Sequence, residues 1–192
     1  MINMENIDRK EISNKKRNAR RRLEEISEVG RRVFDSEIFK KGRTQTHHGT
    51  STVGYHTFEV ADSALRICDY LKKRGISVNR REVIIGALCH DLGIIGRHDK
   101  FKNNFVCSQQ HPKDSVKEAE KLFAEMSPKM RKIIGRHMWP LTPMWPTSRE
   151  GWVVNLADKI ATFNDILHPG HGMRAVRELT ETIYGIDKTD LI

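Results

Sequence analysis

Four histidines and two aspartates fall along this chain in the order His56, His90-Asp91, His111, His137 and Asp158, each on or beside a segment with helical apolar periodicity. Imidazole nitrogen and carboxylate oxygen together suit a hard-to-borderline divalent ion such as Mn, Fe or Zn. Six such side chains are more than one four-coordinate structural zinc would use. The adjacent His90-Asp91 pair adds a further implication, because a carboxylate can bridge two ions whereas an imidazole binds one. Paired ions are a recurring device for cleaving phosphate esters. The pattern therefore predicts a two-metal active site.

The elements that must hold these residues follow from the spacing of the apolar positions. From Val53 to Arg74, Val53, Val60, Ala61, Ala64, Leu65, Ile67, Cys68 and Leu71 recur at helical intervals and include His56 on their stripe, until Gly75 stops the helix. A second helix starts at Asn79, carries Val83, Ile84, Ala87 and Leu88, and continues into His90 and Asp91 before Gly93 breaks it. The polar, basic stretch from Gly96 to Gln110 reads as a loop. His111-Pro112 then reads as a helix start with proline at the first position, and Val116, Ala119, Leu122, Phe123 and Met126 form the buried face. Ser127-Pro128 repeats that signal ahead of Met130, Ile133, Ile134 and His137. Met138 to Arg149 holds three of the six prolines and two of the three tryptophans, and reads as a rigid non-helical loop. Trp152, Val153, Leu156, Ala157, Ile160 and Ala161 mark a last helix, which carries Asp158. Polar side chains at the ends of core-facing stripes are costly to bury unpaired, and metal coordination would remove that cost. No strand-like alternation of comparable length occurs, so the fold class is all-α.

A chain of 192 residues suits one domain plus a tail. The expected division is a basic N-terminal helical extension over 1–43 and a metal-binding domain over 44–192. Cys68, Cys89 and Cys107 are odd in number and widely spaced, which suggests neither a disulfide framework nor a zinc knuckle and fits a reducing cytoplasm. No apolar run approaches the roughly 18 residues of a membrane span, so a soluble, unexported protein with no membrane partner is expected. The formal charge of +9 favours polyanionic partners, but eight Lys or Arg residues lie between Arg9 and Arg22. A solvated helical face is the simpler account of that run, with Leu23, Ile26, Val29, Val33 and Phe34 as a sparse docking stripe. Nucleic-acid binding is the second account, weakened because no aromatic residue is interleaved before Phe34.

The order H…HD…H…H…D resembles the HD-domain superfamily of metal-dependent phosphohydrolases over roughly Thr44 to Asp165. The resemblance rests on His56-x-x-x-Val60, His90-Asp91, His111-Pro112, His137 and Ala157-Asp158-Lys159. His48-Gly49-Thr50-Ser51 and His137-Met138-Trp139-Pro140-Leu141 also resemble an uncharacterised bacterial branch. The resemblance implies a bundle of about five core helices. It also implies one ion on His56, His90, Asp91 and Asp158, and a second on Asp91, His111 and His137. His111 and His137 set the chain apart from the mononuclear HD nucleotidases and guanosine tetraphosphate hydrolases, as does the lack of a carboxylate in Leu92-Gly93-Ile94-Ile95-Gly96. Cyclic-dinucleotide phosphodiesterases of the superfamily carry His-Asp-Ile-Gly-Lys, and Ile94 replaces that lysine here, although Arg97 or Lys100 could substitute.

The expected reaction is hydrolysis of a phosphate ester or nucleotide-type substrate by water activated between two divalent ions, Fe or Mn being favoured and Zn, Ni or Co also suitable. Lys159, Arg97 and Arg136 are candidates for neutralising transition-state charge, and His48 for protonating the leaving oxygen. Two other readings use the same residues. An HD-fold diiron oxygenase can be built from this ligand set, and a nucleic-acid-associated protein could use the basic N-terminus with the bundle as scaffold. His47, His98, His168 and His171 stand outside the stripe pattern and read as ordinary histidines.

Overall fold

The computed structural model describes residues 4–47 and 51–167, and side chains from residue 13 onward. Among the described residues the chain is all-α. It runs through α1 (Met4–Phe34), α2 (Glu37–Gly42), α3 (Val53–Lys72), α4 (Arg80–Cys89), a 3-10 turn (Leu92–Ile94), α5 (Arg97–Lys100), α6 (Asn104–Leu122), α7 (Pro128–Gly135) and α8 (Arg149–Leu167). The helix starts are chemically marked. Thr52 accepts from the Tyr55 amide at 3.2 Å, Asn79 from Glu82 at 3.2 Å, Asn103 from Val106 at 2.9 Å and Ser127 from Met130 at 3.1 Å. Each occupies amide groups that the first turn leaves without a helical partner.

At the centre α3 packs against α4 and α8. Ala61 and Ala64 of α3, Ala87 of α4, and Ala157 and Ala161 of α8 are all fully buried, so small side chains let these helices approach closely. Leu65, Ile84, Leu88, Ile133 and Ile134 fill the space around them. Burying each such aliphatic side chain is worth about 1.5–3 kcal/mol before entropy is counted.

The long helix α1 lies against α3 and α4. Leu23, Ile26 and Val33 enter the core. A partly buried charge network seals the seam: Arg22 reaches Asp62 at 2.6 Å, and Arg80 forks onto Glu25 at 2.6 and 2.8 Å while meeting Asp69 at 2.8 Å.

Two local expectations are corrected. The segment expected to be a loop up to Gln110 is the short helix α5 followed by the first two turns of α6, so Pro112 sits inside a helix rather than at its start. The asparagine cap at Asn103 launches α6 early, and a proline within it removes one amide donor from a helix that burial of Pro112, Ser115 and Ala119 holds in place. In α8, Trp152, Leu156 and Ile160 lie on the exposed side, while Val153, Val154, Ala157, Asp158 and Ala161 form the buried one.

The 3-10 turn that follows Asp91 is pressed against α6. A Cβ on Gly93 would collide with the His111 carbonyl oxygen and the Ser115 amide nitrogen, and the Gly93 amide donates to Ser115 Oγ at 2.9 Å. Only glycine permits that approach, which sets the His90-Asp91 pair beside His111.

Candidate metal centre

The six ligand-type residues come from five separate elements and meet in one buried cluster. His56 projects from the first turn of α3, His90 and Asp91 follow α4, His111 lies within α6, His137 follows α7, and Asp158 lies within α8. All six are buried, with His56 and His90 fully so.

The Asp91 carboxylate sits at the middle, and its two oxygens face different neighbours. Oδ1 lies 3.2 Å from His111 Nε2 and 3.5 Å from His137 Nε2. Oδ2 lies 3.4 Å from His90 Nε2 and 3.3 Å from His47 Nε2. Asp158 Oδ1 is 3.2 Å from His56 Nε2 and 3.7 Å from His90 Nε2. Donors bound about 2.1 Å from a common ion stand roughly 3.0–3.4 Å apart, so these spacings have the scale of a coordination shell.

The ring orientations explain how the nitrogens are aimed. His90 Nδ1 donates to the Ala87 carbonyl at 2.6 Å, His111 Nδ1 to Cys107 at 2.8 Å and His137 Nδ1 to Ile134 at 2.7 Å. Each bond is to a carbonyl three or four residues back, so local chain geometry fixes the tautomer and turns Nε2 toward the centre. His90 Nε2 then has no hydrogen-bond partner although it is buried. His111 Nε2 and His137 Nε2 are only 3.0 Å apart. With both Nδ1 atoms committed as donors, two lone pairs would face each other there unless a proton or a cation lies between them. The orphaned nitrogen and the facing lone pairs both fit a metal ion.

The electrostatics agree. Burial works to raise the Asp91 carboxyl, but hydrogen bonds with His111 and His137 hold it well below the carboxylate range. Burial likewise opposes ionisation of Asp158, yet its hydrogen bond with His56 and the charge of Lys159 hold it down. Both acids are therefore anionic oxygen donors. Burial pushes His90 down to about 4, against the pull of Asp91 and Asp158, which keeps its Nε2 lone pair unprotonated. Burial alone would lower His111, but its bonds to Asp91 and Cys107 raise it to about 10, so a positive group is favoured on the Oδ1 side.

Three neighbours stand behind the ligands without being visible in the sequence pattern. His47 is buried against Asp91, with its ring 4.5 Å from that of His56. Asp165 is partly buried, with its carboxylate 3.6 Å from His56 Nδ1 and accepting from Ser51 Oγ at 3.0 Å. Asn155 donates to the carbonyls of His137, at 2.5 Å, and Trp139, at 2.8 Å. His47 and Asp165 lie outside any apolar stripe, and Asn155 resembles an ordinary polar helix residue. The reading of His47 as an ordinary histidine outside the site is thus corrected: a backbone bridge rather than helical spacing brings it in.

The other expected site residues are placed as follows. Lys159 donates to Asp158 Oδ2 at 2.7 Å and to the His137 carbonyl at 3.1 Å, at the edge of the cluster. Arg97 donates to Asn104 Oδ1 at 3.3 Å and lines a cavity of about 270 Å³ with Phe101, Asn103 and Cys107. Arg136 follows α7 and donates to the Trp145 carbonyl at 3.2 Å. His48 lies outside the described residues.

The family model for the HD domain matches residues 53–162, more than half of the chain. Among characterised proteins, the dihydroneopterin 2′,3′-cyclic phosphate phosphodiesterase of Methanocaldococcus jannaschii is 30% identical over 118 residues, covering 58% of this chain and 47% of that protein. The chain thus spans about half the length of the curated relative it matches. No solved structure matches the chain significantly. No helix among the described residues is long and apolar enough to cross a membrane.

Proposed function

This chain belongs to the HD-domain family, and we propose that it is a metal-dependent phosphohydrolase with two divalent ions astride Asp91. The observation that carries this reading is the division of the Asp91 oxygens between two sets of imidazoles. His56, His90, Asp91 and Asp158 would hold one ion, and Asp91, His111 and His137 the other. Ions so held supply Lewis acidity, which acidifies water and offsets charge on phosphoryl oxygens. Mixed imidazole and carboxylate donors favour Fe or Mn, and suit Zn, Ni or Co as well.

The protein's own side chains would divide the remaining work. Lys159 would hold Asp158 in place through Oδ2, leaving Oδ1 toward His56 and His90, and add positive charge at the edge of the cluster. Arg97 and Lys102 line the cavity beside Cys107, whose carbonyl orients His111, and would draw a phosphorylated substrate to that side. Arg136, next to His137 at the end of α7, would contribute charge near that histidine, and His48 would serve as a proton donor to the leaving oxygen. The substrate class supported best is a small phosphate diester, because the relative from Methanocaldococcus jannaschii is a cyclic phosphate phosphodiesterase.

The test is phosphate-ester cleavage under argon by Mn(II)-loaded protein, on a panel that includes nucleoside 2′,3′-cyclic phosphates and mononucleotides. Cleavage that is abolished by a chelator and needs no oxygen is expected. Inertness on such a panel, together with substrate-dependent oxygen uptake by the Fe(II) form, would move the assignment to the diiron oxygenase.

A further inference from the structure

We propose that His47 is a seventh ligand of this metal centre, completing the shell on the Oδ2 side of Asp91. The inference rests on the metal-centre reading above and concerns a residue outside the sequence motif. His47 precedes α3 and is placed by the backbone. Thr46 pairs with Thr52 in an isolated antiparallel bridge, the His47 amide donates to the Ser51 carbonyl at 2.8 Å, and the Val53 amide donates to the Gln45 carbonyl at 2.9 Å.

The base of this loop is also fixed to the segment after the His-Asp pair. Gln45 donates through its side-chain amide to the Ile94 carbonyl at 3.0 Å and accepts from the Gly96 amide at 2.6 Å. A residue two positions from that clamp is therefore held in register with Asp91. The geometry that results is that of a ligand set: His47, His56 and Asp91, all buried, bring one donor atom each within 4.8 Å of one another. His47 Nε2 is 3.3 Å from Asp91 Oδ2, much as His90 Nε2 is at 3.4 Å.

Orienting the carboxylate would need one imidazole at Oδ2, whereas two converge there and His90 Nε2 is satisfied by no hydrogen bond. A shared cation accounts for both. With His47 included, the Oδ2 side offers five donating residues, His47, His56, His90, Asp91 and Asp158. The Oδ1 side offers three, Asp91, His111 and His137. Exchangeable positions for water and substrate would then be concentrated on the Oδ1 side, since six-coordinate ions leave open whatever the protein does not fill.

The experiment compares wild type, His47→Ala and His47→Gln after loading with Co(II). It measures metal per chain by mass spectrometry, release to a colorimetric chelator, and the visible absorption of the bound cobalt. Glutamine can still donate a hydrogen bond to Asp91 but lacks the imidazole nitrogen. In both variants one of the two ions should leave at least about tenfold faster, with an altered cobalt spectrum and the other ion unchanged. Wild-type release and spectrum in His47→Gln would overturn the inference in favour of an orienting hydrogen bond, even where His47→Ala is poorly folded. Two tightly held ions in wild type with no change in either variant would overturn it while leaving the two-metal reading intact. Failure of wild type to bind any ion would overturn both.

Discussion

The two sides of Asp91 are built by different means. On the Oδ2 side His56 and Asp158 project from α3 and α8, helices that pack against each other and carry fully buried alanines, Ala61 and Ala64 on one and Ala157 and Ala161 on the other. On the Oδ1 side His137 follows the eight-residue helix α7, and its position depends on polar tethers from α8. Asn155 and Lys159 both donate to the His137 carbonyl. Close packing fixes one half, because a tightly filled core has few alternative arrangements. The other half adds hydrogen bonds to the packing of Ile133 and Ile134, and these can be removed one at a time without unfolding the bundle. The glycine contact of Gly93 with α6 joins the halves.

Changes that separate the halves should show this order. The largest effect belongs to Asp91→Ala, which removes the one carboxylate shared by both sides. Both ions should be lost and turnover should fall by about 10³-fold or more, as metal analysis and phosphate release would show. Retention of one tightly bound ion would mean that Asp91 does not bridge.

Next come His111→Ala and Asp158→Ala, which should act on opposite sides. His111→Ala should weaken one ion and cut turnover by about 10²-fold while leaving the other ion in place, whereas Asp158→Ala should spare the ion at His111 and His137. Equal loss of both ions in each variant would erase the distinction.

A smaller effect is expected from Asn155→Ala, which releases the His137 and Trp139 carbonyls while leaving every proposed ligand side chain in place. Affinity for the Oδ1-side ion should fall about tenfold with the Oδ2-side ion unaffected, measured by competitive chelation. The reverse pattern would place the polar tether on the wrong half. Lys159→Met should have the mildest influence on metal retention, within about threefold, because Asn155 still holds the His137 carbonyl and the buried face of α8 still helps to hold Asp158. A larger effect on kcat than on metal content would mark its ammonium as a substrate contact.

Much of this arrangement was legible in the sequence because helical periodicity marks which residues face inward. His56 sits on the stripe of α3, His90-Asp91 ends that of α4, and His137 ends that of α7, so the spacing itself points all of them to the core. The start of α6 was obscured because proline after His111 mimics a first-turn signal, while the cap that begins the helix lies at Asn103. His47 left no periodic trace, since a two-residue bridge positions it and its partner Asp91 is distant in the chain. Asp165 and Asn155 were missed for a related reason. Their roles depend on which face of α8 meets α3 and the loop after α7, and the apolar residues Trp152, Leu156 and Ile160 point to the other face.

The central claim, two ions divided by one carboxylate, is tested most directly by anomalous diffraction from crystals of protein purified without added metal. The account predicts two transition-metal peaks, one on each side of the Asp91 carboxylate, with His111 and His137 bound to one and His56, His90 and Asp158 to the other. A single fully occupied ion, with His111 and His137 turned away from it, would contradict the account.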